Sequence, residues 1–182
     1  AHEISRVGVY RTFQNLALWP GMTVIENVMV GDHTNTKSNV ISSALRLPSM
    51  RKEEKELRDR AWAALEEIQL TDVAYHPAAG LPFGTLKRIE LARALIANPR
   101  LIMLDEPASG LTHAEVDSLA QDIRDLRDRH NLTILLVEHH MRMVLNISEK
   151  LVVLNFGRKI ADGDPDVVRN DPEVIEAYLG SS

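Results

Sequence analysis

Leu101-Ile102-Met103-Leu104-Asp105-Glu106-Pro107 is the stretch that decides how the rest of this 182-residue sequence is read. Four apolar residues in a row have the length of a buried strand, and the strand ends in two adjacent carboxylates. Open α/β sheets bind ligands at the carboxyl ends of their strands. Two carboxylates there suit phosphoryl transfer, one to hold a magnesium ion and the other to orient an attacking water. Oxygen donors match magnesium, which takes only one or two protein carboxylates and keeps several waters. An acidic turn after a strand is the plainer alternative, so the flanking sequence has to decide.

Downstream of Pro107, strands and helices alternate. Thr112-His113-Ala114-Glu115 has the form of a capping box, opening a helix with Val116, Leu119, Ile123 and Leu126 on one face. Leu132 to Val137 reads as the next strand, followed by a helix near His140 to Asn146 and a strand at Leu151 to Leu154. Phe156-Gly157-Arg158-Lys159 reads as a hairpin turn into Ile160, and Asp164 and Asp171-Pro172 introduce two closing helices. Such alternation implies a mainly parallel sheet covered by helices.

Upstream, Leu81-Pro82-Phe83-Gly84-Thr85 runs straight into a helix expected over Thr85 to Ala97, stopped by Pro99. Free N–H groups and the positive end of the helix dipole together make an anion site there, unless the turn is simply a capped helix start. Before it, Arg51 to Gln69 forms an amphipathic helix with Leu57, Ala61, Leu65 and Ile68 inward. Thr23-Val24-Ile25-Glu26 is a second capping box, opening a short helix to about Val30. Gly31 to Ser49 is polar and irregular, and Val7 to Phe13 reads as a strand. The expected organisation is one α/β domain, with 1–22 and 98–182 forming the sheet core and 23–97 a helical insertion.

Composition narrows the function. With 45% hydrophobic and 26% charged residues, the chain is a globular protein long enough to bury about 70% of its unfolded surface. A net charge of −5 argues against nucleic acid as a partner. The absence of cysteine removes disulfides and thiolate metal sites, which suits an intracellular home. No apolar run approaches the roughly 18 residues of a membrane span, so a role at a membrane is expected to be peripheral.

The run Leu81 to Leu111 resembles the ATPases of ATP-binding cassette (ABC) transporters. Leu-Pro-Phe-Gly-Thr-Leu-Lys-Arg followed by Glu-Leu-Ala-Arg-Ala-Leu is similar to the branched-chain amino acid group, which includes urea and amide importers. The resemblance implies a P-loop NTPase fold, ATP and Mg2+ as cofactors, and a head-to-tail pair of ATPase subunits. It makes Leu81, Pro82, Phe83, Gly84 and Thr85 the signature turn, which binds the γ-phosphate of ATP held by the opposite subunit. Asp105 matches the magnesium-associated Walker B aspartate and Glu106 the catalytic glutamate. Ser109, Gly110 and Leu111, within Ala108 to Thr112, match the loop joining the two sites across the dimer. Thr12-Phe13-Gln14-Asn15 resembles the Q-loop, making Gln14 a sensor of magnesium-ATP. Val137-Glu138-His139-His140-Met141 resembles the switch motif, with His139 on the γ-phosphate. The closing stretch Gly157 to Leu179 follows the family's pattern, so the likeness covers nearly the whole chain. Membrane permease subunits, and indirectly an extracytoplasmic solute-binding protein, are the implied partners. The implied location is the cytoplasmic face of the membrane.

Three departures stand out. No G-x-x-x-x-G-K-S/T occurs in the sequence, so the loop that cradles the phosphates with backbone N–H groups and a lysine is lacking. The chain reads as the N-terminally truncated remainder of a normal subunit, inactive alone because Asp105 and Glu106 have no held phosphates to act on. Pro82 stands where the commonest signature has Ser, which leaves the γ-phosphate contact to Gly84 and Thr85. Thr112 stands where many relatives place Asp. Two other readings remain at this level. The chain could be a regulatory module that lends its signature to another subunit's ATP, or a soluble ABC ATPase of DNA repair or translation.

Overall fold

Every strand of the main sheet runs parallel, and the order is β1-β2-β3. In the computed structural model, which describes residues 8–12, 17–32 and 48–179, β1 is Val9–Arg11, β2 is Leu101–Asp105 and β3 is Thr133–Val137. The register sets Arg11 opposite Met103 and Asp105 opposite Val137. Ile102 and Leu104 point into the core, 0% and 3% exposed. The amide of Thr12 donates to the Met103 carbonyl at 3.0 Å, carrying the first ladder one residue beyond β1.

The helical part is packed around one core shared with this sheet. α1 (Val24–Met29) begins at the expected capping box: Thr23 accepts the Glu26 amide, and Glu26 returns to the Thr23 amide at 2.8 Å. A short 3-10 turn, Val30–Asp32, extends it. α2 (Pro48–Glu67) buries Ala61 and Leu65 along the expected stripe, and Ile68 continues that stripe just past its end. α3 (Phe83–Leu95) starts two residues earlier than the sequence suggested, because Pro82 takes the N-cap position with its fixed φ of −54°. Gly31, in the 3-10 turn that follows α1, lies directly against α3. A Cβ built there would lie 2.1 Å from the Arg93 carbonyl oxygen, so only glycine permits this approach.

α4 (His113–His130) carries the second expected capping box, Thr112 with Glu115, and buries Val116, Leu119, Ile123 and Leu126. Its C-cap, Asn131, is left-handed at φ 49°, a conformation Asn tolerates better than most side chains. α5 (Met141–Ile147) follows β3.

The strand expected over Leu151 to Leu154 does not join the parallel sheet among the described residues. It forms β4 (Leu151–Asn155), paired antiparallel with β5 (Arg158–Gly163). Phe156 and Gly157 both have positive φ, 45° and 78°, the signature of a two-residue hairpin turn. The closing helices are short: α6 (Pro165–Val168), and α7 (Pro172–Val174) running into a π-turn over Ile175–Leu179. Between β3 and β4 lies an open groove of about 650 Å3, walled partly by Leu135, Val137, Val152 and Leu154. Each of these four side chains is at least half exposed. Among the described residues, β3 has a strand neighbour on one side only.

Candidate functional site

The acidic pair and the histidine converge at the carboxyl ends of β2 and β3. Parallel pairing places Asp105 beside Val137, so the residues just past each strand face one another. Glu106 leaves β2 with φ 46°, a left-handed conformation that is uncommon for any residue but glycine. Its amide still donates to the Val137 carbonyl at 2.9 Å, and its own carbonyl accepts from Ser109 at 3.1 Å. The strained turn is thereby held from both sides, and the Glu106 carboxylate is brought to 3.7 Å from Nδ1 of His139. Strained backbone of this kind concentrates at functional sites. Nothing in the sequence marks it.

Asp105, the residue expected to hold magnesium, meets the Arg11 guanidinium at 3.1 Å from β1. Its donor set, two adjacent carboxylates at a strand end, fits a hard cation, and Arg11 is the internal cation that now balances it. His139 is 59% exposed at the side chain and stacks on His140, with ring centroids 4.9 Å apart. Glu138, between Val137 and His139, was not singled out from the sequence. Its side chain is fully buried and accepts three backbone N–H groups: Ala108 at 2.8 Å, His139 at 2.9 Å and His140 at 3.2 Å. Glu138, His139 and His140 could together offer ligand atoms to a metal ion, but these N–H bonds already occupy both oxygens of Glu138.

The turn Leu81 to Thr85 lies against the loop after Glu106. The Phe83 ring covers Gly110, where an added Cβ would sit 3.1 Å from Cε1 at φ 80°. Gly84 is buried against Glu115, whose Oε1 would be 2.6 Å from a Cβ at that position. The helix start expected to offer free N–H groups is therefore met by a carboxylate of the same chain. Glu115 is fixed by the Thr112 hydroxyl at 2.7 Å and the Thr112 amide at 2.8 Å. Those bonds, Thr112's hydroxyl first, hold its carboxyl below the usual range, and the Gly84 amide contributes in the same direction. The structure thus joins Leu81 to Thr85 with Ser109 to Leu111, and Asp105 and Glu106 with His139. Gln14, with Phe13 and Asn15, lies outside the described residues.

A buried polar cluster, not legible in the sequence, ties residues 17–19 to α3. Arg93 donates to the Ala17 carbonyl at 2.5 Å and to the Tyr10 hydroxyl at 3.2 Å, and pairs with Glu90 at 3.4 Å. Glu90 accepts the Ala17 amide at 3.3 Å. Both side chains are below 10% exposed. Burial pushes the Glu90 carboxyl above its usual range, against the pull of the Ala17 amide and of Arg93. Asn27, fully buried, closes the next turn: it accepts the Trp19 amide at 2.7 Å and donates to the Trp19 and Thr23 carbonyls.

Parallel strands ending in an acidic pair and a histidine, beside a glycine turn that opens a helix, are an arrangement of the P-loop NTPase fold. Solved structures agree. An ATP-binding cassette of an ABC transporter, in its ADP conformation, superposes with a TM-score of 0.79 at 30% identity, covering 99% of this chain and 71% of that one. The protein cbiO1 from Clostridium perfringens, described as part of the ABC transporter complex cbiONQ, gives 0.75 at 26% identity, covering 94% and 62%.

The chain belongs to the ABC transporter family: residues 1–109 match its profile, and 158–182 match that of the branched-chain amino acid ATP-binding cassette transporters. It is 44% identical to the high-affinity branched-chain amino acid transport ATP-binding protein BraF of Pseudomonas aeruginosa, over all of this chain and 71% of that protein. LivG of Escherichia coli K12, of the same description, is also 44% identical over 99% of this chain and 71% of its own length. No helix among the described residues is long and apolar enough to cross a membrane.

Proposed function

We propose that this chain is part of the ATP-hydrolysing subunit of an importer for branched-chain amino acids or related small polar solutes. The observation that carries the reading is the approach of Glu106 and His139 to 3.7 Å at the ends of two adjacent parallel strands. In this reading Glu106 orients the attacking water and His139 contacts the transferring phosphate. Asp105 would hold Mg2+, and Gln14 would complete the sensing of magnesium-ATP. Magnesium, when bound, neutralises charge on the phosphate oxygens. Leu81 to Thr85 serve ATP held by a second ATPase subunit, and Ser109 to Leu111 lie at the junction of the two sites. Residues 1–22 and 98–182 act as the core, and 23–97 as the helical unit that answers to membrane permease subunits at the cytoplasmic face. An extracytoplasmic solute-binding protein feeds those permeases.

Because the 182 residues contain no G-x-x-x-x-G-K-S/T, this chain by itself is inactive in ATP hydrolysis. Calorimetric titration with magnesium-ATP, beside a form extended to include such a loop, tests this. Binding by the extended form alone supports the reading, as does a fall in its turnover of about 100-fold or more on Glu106→Gln. Tight binding by the 182-residue chain, or unchanged turnover in Glu106→Gln, refutes it.

A further inference from the structure

The Glu138 carboxylate is fully buried, and among the described residues the nearest basic side chain is His139, whose Nδ1 lies 3.8 Å away. Its charge is stabilised instead by backbone. Oε1 takes the amide of Ala108, on the loop leaving β2, while Oε2 takes the amides of His139 and His140, on the loop leaving β3. Hydrogen bonds to an ionised acceptor are about twice as strong as neutral ones, and each oxygen of a rigid, planar group fixes its own loop. The two loops also meet where the Glu106 amide donates to the Val137 carbonyl, closing the β2–β3 ladder, and where the Glu106 carboxylate approaches His139 at 3.7 Å. A leucine at this position could fill the space but could not accept N–H groups from both loops.

We infer that Glu138 is a positioning residue that locks the His139 loop to the Ala108–Leu111 loop, so that the two move as one body. The inference rests on the proposed function for its meaning. A phosphate contact made by His139 then reaches the loop that faces the second subunit through the buried Glu138 carboxylate, beside the Glu106–His139 contact.

Native-state amide hydrogen exchange on the 182-residue chain tests this without any ATP. In the unaltered chain, Ala108, His139 and His140 exchange as one cooperative unit, with a shared dependence on denaturant. Glu138→Gln keeps the shape but turns an N–H group toward the backbone donors. Ala108 exchange should then accelerate by about tenfold or more and separate from that of His139 and His140, while core amides such as Leu104 and Ile123 keep their rates. Glu138→Asp, too short to reach both loops, should separate them in the same way and serves if the Gln variant fails to fold. Independent exchange of Ala108 and His139 in the unaltered chain overturns the inference. So does joint exchange in the variants, or a uniform acceleration that includes the core. None of these outcomes depends on nucleotide binding, so a failure here is distinct from a failure of the ATPase reading.

Discussion

Replacing Asn27 by alanine should unfold the chain more readily than its modest size suggests. The side chain is completely buried and makes bonds of both polarities within the 19–23 turn. Alanine leaves the Trp19 amide without its acceptor at 2.7 Å, and an orphaned amide costs about 1–3 kcal/mol. The Trp19 and Thr23 carbonyls lose a donor, and the removed atoms leave a small void. Together these amount to about 3 kcal/mol, which lowers the melting temperature of a chain this long by about 6–12 °C. Circular dichroism melts of the two proteins measure it. Asn27→Asp sharpens the test. It keeps an acceptor for Trp19 but sets a buried carboxylate against carbonyl oxygens, which raises its folded pKa. A raised acid is more stable below its unfolded pKa and loses that stability as pH rises, so Asn27→Asp should be markedly worse at pH 8 than at pH 4. A loss below about 1 kcal/mol for Asn27→Ala would mean that water replaces the side chain, and the reasoning would fail.

Gly84→Ala should weaken the contact between the Leu81–Thr85 turn and α4, because the new Cβ meets the pinned Glu115 carboxylate. In a Glu115→Ala background the same change should be harmless or stabilising, since alanine favours a helix over glycine. Additive effects in that cycle, read from melting temperatures, would show that the two residues do not compete for space. Burial raises the Glu90 carboxyl, so the folded chain holds its proton more tightly than the unfolded chain does. Its contribution to stability is therefore full below the ordinary glutamate range and declines as pH rises through the raised value, by at most about 1.4 kcal/mol per pH unit. Subtracting the Glu90→Gln profile, measured by urea unfolding at a series of pH values, should isolate this slope; identical profiles would refute it.

The local signals in the sequence were sound. Thr23 with Glu26 and Thr112 with Glu115 open their helices as the capping pattern requires. The Leu101 stretch is the central strand of the three, and its Asp-Glu pair emerges beside His139. What could not be read there depends on approach through space. The left-handed Glu106 follows from the loop that must turn back to meet Val137. Glu138 reads as one more acid in an acidic chain until three backbone amides surround it. Arg93 and Glu90 look like ordinary surface charges of an amphipathic helix, and only the fold brings Ala17 and Tyr10 over them. Glu115 caps its own helix in the sequence pattern, and its second neighbour, Gly84, lies on another element altogether. An acidic residue closing an apolar strand, as Glu138 does, is the one sequence signal that could have drawn attention to it.

The flank of β3 that pairs with no strand among the described residues also bears on how this chain behaves in a tube. Its peptide groups and the half-exposed Leu135 and Val137 offer a ready template to any extended backbone, and the side of β4 across the groove offers another. Natural sheets blunt such borders with lysine, proline or a bulge. The bulge here falls between β4 and β5, near Val153 and Leu154, and β3 itself, Thr-Ile-Leu-Leu-Val, has no gatekeeper at all. Storage and handling will therefore be governed less by the net charge of −5 than by how quickly one molecule's border finds another's.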